Sequence, residues 1–172
     1  MTNKQFERLS LKKKRILVAQ DVIDQIIAKR FKPKHKVYLT FDKESLEGHA
    51  GEQLQPLLKE NKVKCDVCAL GACFVSLVKF ENDFKIQKQI SWTNSIETNY
   101  SGLFFDDNEG PKGRLNTLFG KLQREAIECA FEKSRKFSKK DEYSPYIKKA
   151  VLFGKTYRTA STRMIAIMQN VV

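Results

Sequence analysis

The chain has 172 residues, enough for one domain with its own core, and 41% hydrophobic against 30% charged residues excludes a globally disordered polymer. No run approaches the roughly 18 apolar residues needed to span a bilayer, and MTNKQFERLSLKKKR lacks the apolar segment of a secretory signal, so a cytoplasmic protein is expected, with no membrane partner. The formal net charge is +12 and uneven: residues 1–36 carry eleven Lys/Arg against Glu7, Asp21 and Asp24, residues 133–163 carry ten against Asp141 and Glu142, and the middle is net acidic.

In chain order, LKKKR opens the first helix, ILVAQDVIDQIIAKRF, whose Ile16, Ala19, Ile23, Ile26 and Ile27 recur at helical spacing. Proline disfavours helical geometry in the residue before it, so this helix stops near Phe31-Lys32-Pro33. VYLTF (Val37 to Phe41) is a strand candidate and DKESLEGHAG a connector. GEQLQPLLKEN forms a short helix with Leu54, Leu57 and Leu58 inward. KVKCDVCALGACFVSLVKF (Lys62 to Phe80) is long and without β alternation, which favours a buried helix ended by Glu81, Asn82 and Asp83. KIQKQISW alternates loosely as a strand does, and the rest of Ile86 to Gly113 reads as a loop. RLNTLFGKLQREAIECAFE sets Leu115, Leu118, Phe119, Leu122, Ala126, Ile127, Ala130 and Phe131 on one stripe of an amphipathic helix. Residues 133–143 form a basic connector, Ser144-Pro145 opens a helix with Ile147, Ala150, Val151 and Gly154 on one face, and Thr159 or Ser161 caps a terminal helix bearing Met164, Ile165, Ile167 and Met168. The sum is a single domain over residues 1–172, a mainly α compact helical domain with a small two-stranded β element and a basic N-terminal segment over residues 1–15.

Three of the four cysteines lie in one apolar stretch, which raises the question of metal or redox chemistry. On a helix Cys65 and Cys68 lie about 60° apart around the axis and Cys73 about 140° from Cys68, so three thiolates do not converge and no metal is expected. Cys65 and Cys68 form a CxxC motif whose thiolates a helix N-terminus, Lys62 and Lys64 would favour, while Asp66 opposes them and no strand is evident before the motif. A thiol redox role at Cys65/Cys68 is therefore the alternative to a tightly packed core helix in which cysteine acts as a small hydrophobe. His35 and His49 have no nucleophile or acid beside them in sequence, FFDDNEG places Pro111 where a calcium loop needs glycine, and GPKGRLNTLFGK lacks phosphate-loop spacing. No catalytic residue and no cofactor are expected.

The basic constellation remains. Lys12, Lys13, Lys14 and Arg15 at the first helix, with Lys133, Arg135, Lys136, Lys139 and Lys140 in the connector, are suited to phosphates or an acidic partner surface. Phe137, Tyr143, Tyr146 and Tyr157 are interleaved with Lys and Arg, a composition of single-strand stacking surfaces that favours RNA over DNA, although Tyr146 and Tyr157 also fit core positions.

Three blocks, CDVCALGACFVSLVKF, EAIECAFE and FGKTYRTASTRMIAIMQNVV, together resemble small uncharacterised accessory proteins of bacteriophages, prophages and mobile elements, which show a CALGA helix, an IE-x-AFE helix and a terminal IAIMQN-like helix. The resemblance covers about a third of the chain and contains no catalytic motif. It implies a phage-type accessory protein in the host cytoplasm, a class that includes inhibitors of host defence nucleases of the anti-CRISPR kind. Combined with the basic segments, the expectation is a non-enzymatic binder of nucleic acid or of a host nucleoprotein; the alternatives are the redox protein above and a virion structural or interaction protein.

Overall fold

The computed structural model describes residues 1–49, 51–81, 111–134 and 145–171. Its elements are α1 (Asn3–Glu7), α2 (Leu11–Ile27), β1 (Phe31–Pro33), β2 (Leu39–Phe41), α3 (Lys43–Leu46), α4 (Leu54–Lys59), β3 (Cys65–Val67), α5 (Ala69–Glu81), α6 (Pro111–Asn116), α7 (Lys121–Glu132), α8 (Pro145–Lys155) and α9 (Ala160–Gln169). The domain is mainly α with a small β element, as expected, but that element has three strands rather than two.

The apolar stretch from Lys62 to Phe80 divides. Its first part is the central strand β3, parallel to β1 through Phe31↔Cys65 and Pro33↔Val67 and antiparallel to β2 through Leu39↔Val67 and Phe41↔Cys65. Cys65 and Val67 are buried and Asp66 half-buried, so three residues are too few for alternation to separate them from the helix that follows. The first helix stops at Ile27, earlier than the proline predicts, with Ala28 as C-cap and Lys29 in left-handed geometry (φ 57°), and Pro33 sits in edge strand β1, where a residue without an N–H is tolerated.

The second part, α5, is the centre of the fold, with α1, α2, α4, α6 and α7 packed around it. Nine of its residues are buried, among them Phe74, Val75, Leu77 and Val78, so it is apolar on nearly every side. Each of those larger side chains contributes about 1.5–3 kcal/mol by leaving water. Gly71 lets α5 approach the sheet, because a Cβ there would overlap the Tyr38 carbonyl.

The segment read as one amphipathic helix from Arg114 to Glu132 is two. Thr117 Oγ1 donates to the Arg114 carbonyl, α6 ends, and Gly120 in extended geometry becomes the N-cap of α7, with Gln123 Oε1 accepting from its N–H at 3.1 Å. The break rotates Leu122 out of the stripe, leaving it 46% exposed. Similarly, Ile27, expected on the inner face of α2, is exposed, and Val18 and Val22 are buried there beside Ala19, Ile23 and Ile26. α8 and α9 keep the expected faces, with Ile147, Val151, Gly154, Met164, Ile167 and Met168 buried, and Thr159 caps α9 by accepting from Thr162 N–H at 3.1 Å. Most of Ile86 to Gly113, including KIQKQISW, lies outside the described residues, as do Ser144 and most of the 133–143 connector. No helix among the described residues is long and apolar enough to cross a membrane.

Candidate nucleic-acid interface

Lys12 and Lys13 project from the first turn of α2, where Ser10 accepts from Lys13 N–H. Both are exposed, as are Lys4 and Arg8 on α1, and among the described residues none of the four pairs with a carboxylate. A helix macrodipole places its positive end here, so each cation in this turn is disfavoured by about 0.3–1 kcal/mol until an anion approaches. Lys14 and Arg15 are half-buried and also serve the fold: Lys14 Nζ lies 5.4 Å from the Phe6 ring centroid, and Arg15 Nε donates to the Leu118 carbonyl at 2.6 Å with its guanidinium 5.9 Å from the Phe119 ring.

Lys133 lies elsewhere. It is the left-handed C-cap of α7 (φ 55°), at the far end of that helix from the Leu118 carbonyl that holds Arg15, about 18 Å along the axis at 1.5 Å per residue. A cation is favourable at a helix C-terminus, and the Lys133 backbone N–H donates to the Cys129 carbonyl. Arg135, Lys136, Lys139 and Lys140 lie outside the described residues.

Around Lys133 the chain builds a polar junction that the sequence did not announce. Arg163 is fully buried and donates from Nε to the Gly154 carbonyl at 2.9 Å, from Nη1 to the Phe131 carbonyl at 3.0 Å and from Nη2 to the Tyr157 carbonyl at 2.9 Å, so one cation satisfies the C-terminal ends of α7 and α8. Burial pulls its pKa below the ordinary arginine value and Glu132 opposes that shift. Nη1 also lies 2.9 Å from His35 Nε2. Arginine has no acceptor, so Nε2 accepts, and Nδ1 carries the proton that faces Glu132 Oε2 at 3.2 Å. Both ring nitrogens are thus engaged and the ring stacks on Phe131, which makes His35 a structural member of the junction rather than a free part of the basic surface. Glu132 Oε1 accepts from Lys36 N–H at 3.0 Å. His49 lies in the connector after α3, paired with Glu52 at 2.8 Å.

Arg15 also borders an open cleft of ≈ 320 Å³ between α2, α7, α8 and α9. Its floor is aliphatic and aromatic, and Arg15, Gln123, Tyr146, Lys149 and Asn170 supply its polar and aromatic groups. Tyr146 is 49% exposed here and so is not packed into the core, whereas Tyr157 is half-buried against Phe153, with ring centroids 5.1 Å apart.

The CxxC motif begins inside β3 and ends just before α5, so a strand does precede the helix, contrary to the sequence expectation, but Cys65 lies within that strand. Cys65, Cys68, Cys73 and Cys129 are free thiols and all are buried. Burial and then Asp66 push the Cys65 thiol far up, burial and then Glu128 do the same to Cys68, and burial raises Cys73 to about 12. Cys68 Sγ lies 3.7 Å from Glu128 Oε2 as a thiol donor. These surroundings disfavour thiolates, the opposite of what a dithiol oxidoreductase requires. No group of three or more His, Cys, Asp or Glu among the described residues is arranged to hold a metal ion.

No protein family, curated protein or solved structure matches this chain. The resemblance to phage accessory proteins therefore rests on its three sequence blocks. The sequence reading missed Arg163 and Glu132 as anchoring positions. Of the two, Arg163 carried a signal, a cation among the apolar residues of the terminal helix.

Proposed function

We propose that this protein is a non-enzymatic binder of nucleic acid, RNA in preference to DNA, through the basic amino-terminal surface formed by α1 and the first turn of α2. One observation carries the reading: Lys12 and Lys13 stand exposed and, among the described residues, without carboxylate partners at the positive end of a 17-residue helix, an arrangement that gains nothing from the fold and that a phosphate relieves. Arg15 and Lys14 flank this surface, and Lys133 with the connector basic residues would serve as a second, separate phosphate contact. On the phage-type resemblance, the bound nucleic acid belongs to a host nucleoprotein such as a defence nuclease, which the protein would occlude.

The test is fluorescence anisotropy with a labelled single-stranded RNA and the matching DNA at several salt concentrations. Log affinity should fall linearly with log salt, and Lys12→Glu/Lys13→Glu should weaken binding and reduce the slope by about 0.7 per lost phosphate contact on a single strand. Affinity that is absent, or indifferent to salt and to both charge reversals, rejects the reading.

A further inference from the structure

We infer that the cleft between α2, α7, α8 and α9 is a pocket for one unstacked base of a single-stranded nucleic acid, with its phosphate held at the Arg15 and Lys149 rim. The inference rests on the proposed nucleic-acid reading and gives that binding a specific contact. At ≈ 320 Å³ the cleft is at the small end of ligand pockets, which run from about 300 to 1,000 Å³, and an extended polymer could only place one residue in it.

Three features select the ligand. First, the described lining residues include Arg15 and Lys149 and no carboxylate, so the occupant is an anion. Arg15 is anchored through Nε on the Leu118 carbonyl, which leaves its terminal amino groups uncommitted among the described residues, and Lys149 is exposed. Second, Tyr146 offers a half-exposed ring and Phe119 lies beneath the Arg15 guanidinium, so the occupant has a flat apolar body able to stack. Third, two amides on the lining are each half used. Among the described residues, Gln123 Oε1 accepts from Gly120 N–H and leaves its Nε2 donor open, and Asn170 Nδ2 donates to the Ala166 carbonyl and leaves its Oδ1 acceptor open. One donor and one acceptor beside an apolar floor complement the edge of a base, whereas an acyl chain has no use for them.

The test uses the full chain with uridine and adenosine 5′-monophosphates, ribose 5-phosphate, octanoate and a single-stranded 12-mer RNA. Nucleotides should compete with the 12-mer and shift the Gln123 side-chain amide resonances. Ribose 5-phosphate and octanoate should do neither. Tyr146→Ala, at an exposed position, should weaken the 12-mer about 5- to 150-fold, the range for loss of one base stack. Lys149→Glu should weaken it further with a smaller salt slope. If the 12-mer binds and Lys12→Glu/Lys13→Glu weakens it while Tyr146→Ala does not, the pocket is overturned and the broader reading stands. Competition by octanoate and not by nucleotides overturns the pocket in favour of an acyl site. Failure of every RNA to bind, in wild type and at low salt, overturns both.

Discussion

Arg163→Met removes the cation that joins the ends of two helices while keeping a side chain of similar reach. Four contacts are lost at 3.0 Å or less, to the carbonyls of Gly154, Phe131 and Tyr157 and to His35 Nε2. The Tyr157 carbonyl and His35 are partly accessible and regain water, so the lasting cost falls on the two contacts in buried surroundings, to Gly154 and Phe131. A buried polar group left without a partner costs about 1–3 kcal/mol, which gives about 2–6 kcal/mol for the pair. Relief of the desolvated charge offsets a part of this, and about 4 kcal/mol is expected. That is a large share of the 5–15 kcal/mol typical of a domain. Guanidinium unfolding followed by circular dichroism measures it, with Arg163→Lys as the second variant, since an ammonium cannot span carbonyls on two helices and should recover less than half. A loss below about 1 kcal/mol for Arg163→Met would show that the helix ends are satisfied without the guanidinium and would refute the reasoning.

Two further expectations follow from packing and from the thiols. Gly154→Ala drives a Cβ into the Ala130 carbonyl at the α7–α8 crossing, and Gly71→Ala does the same to Tyr38. Each should cost about 1–3 kcal/mol or more in denaturant unfolding, and an unchanged midpoint would place the helix axes farther apart than described. The buried thiols predict slow reaction of native protein with an aromatic disulfide reagent near neutral pH and release of four reactive thiols on unfolding; rapid labelling of the folded protein contradicts the burial. Because Cys65, Cys68 and Cys73 have raised folded-state values, the folded protein holds their protons above the ordinary thiol value of 9.0 while the unfolded chain releases them. Their contribution to stability is complete below pH 9 and falls as pH rises, for Cys73 towards about 12, so a Cys73→Ala variant should show a flatter alkaline decline than wild type.

The helices that bury one long face were legible because period and burial coincide: α2, α8 and α9 follow the spacing of their apolar residues, while α5, apolar on nearly every side, was legible from its length and hydropathy. The sheet was less so. Of its strands only β2 stands out, since VYLTF is β-branched and aromatic, while FKP was masked by its proline and CDV by the helix that continues from it without a break in hydropathy. The split between α6 and α7 depended on Gly120 and on the Thr117 hydroxyl, local capping that a broad apolar stripe overrides by eye. For the candidate site, charge counting located Lys12 to Arg15. It could not separate Lys12 and Lys13, which are exposed, from Arg15, which holds the Leu118 carbonyl, nor show that Lys133 belongs to a different end of α7. Tyr146 was visible only as one of several aromatics in a basic context; its exposure beside Arg15 and Lys149 is a product of how α2, α7 and α8 meet.

The Arg163 junction sets the order in which this protein becomes complete. Its partners Phe131, Gly154 and Tyr157 leave the ribosome before Arg163 does, as does His35, some 128 positions earlier. Until α9 emerges and docks against α2, the last turns of α7 and α8 have no guanidinium to close them. The nascent chain therefore holds its central helix before its helix ends are secured, and α9 acts as the fastener. A released chain truncated before residue 163 would carry a domain whose α7–α8 pair is open to proteases at both C-terminal turns.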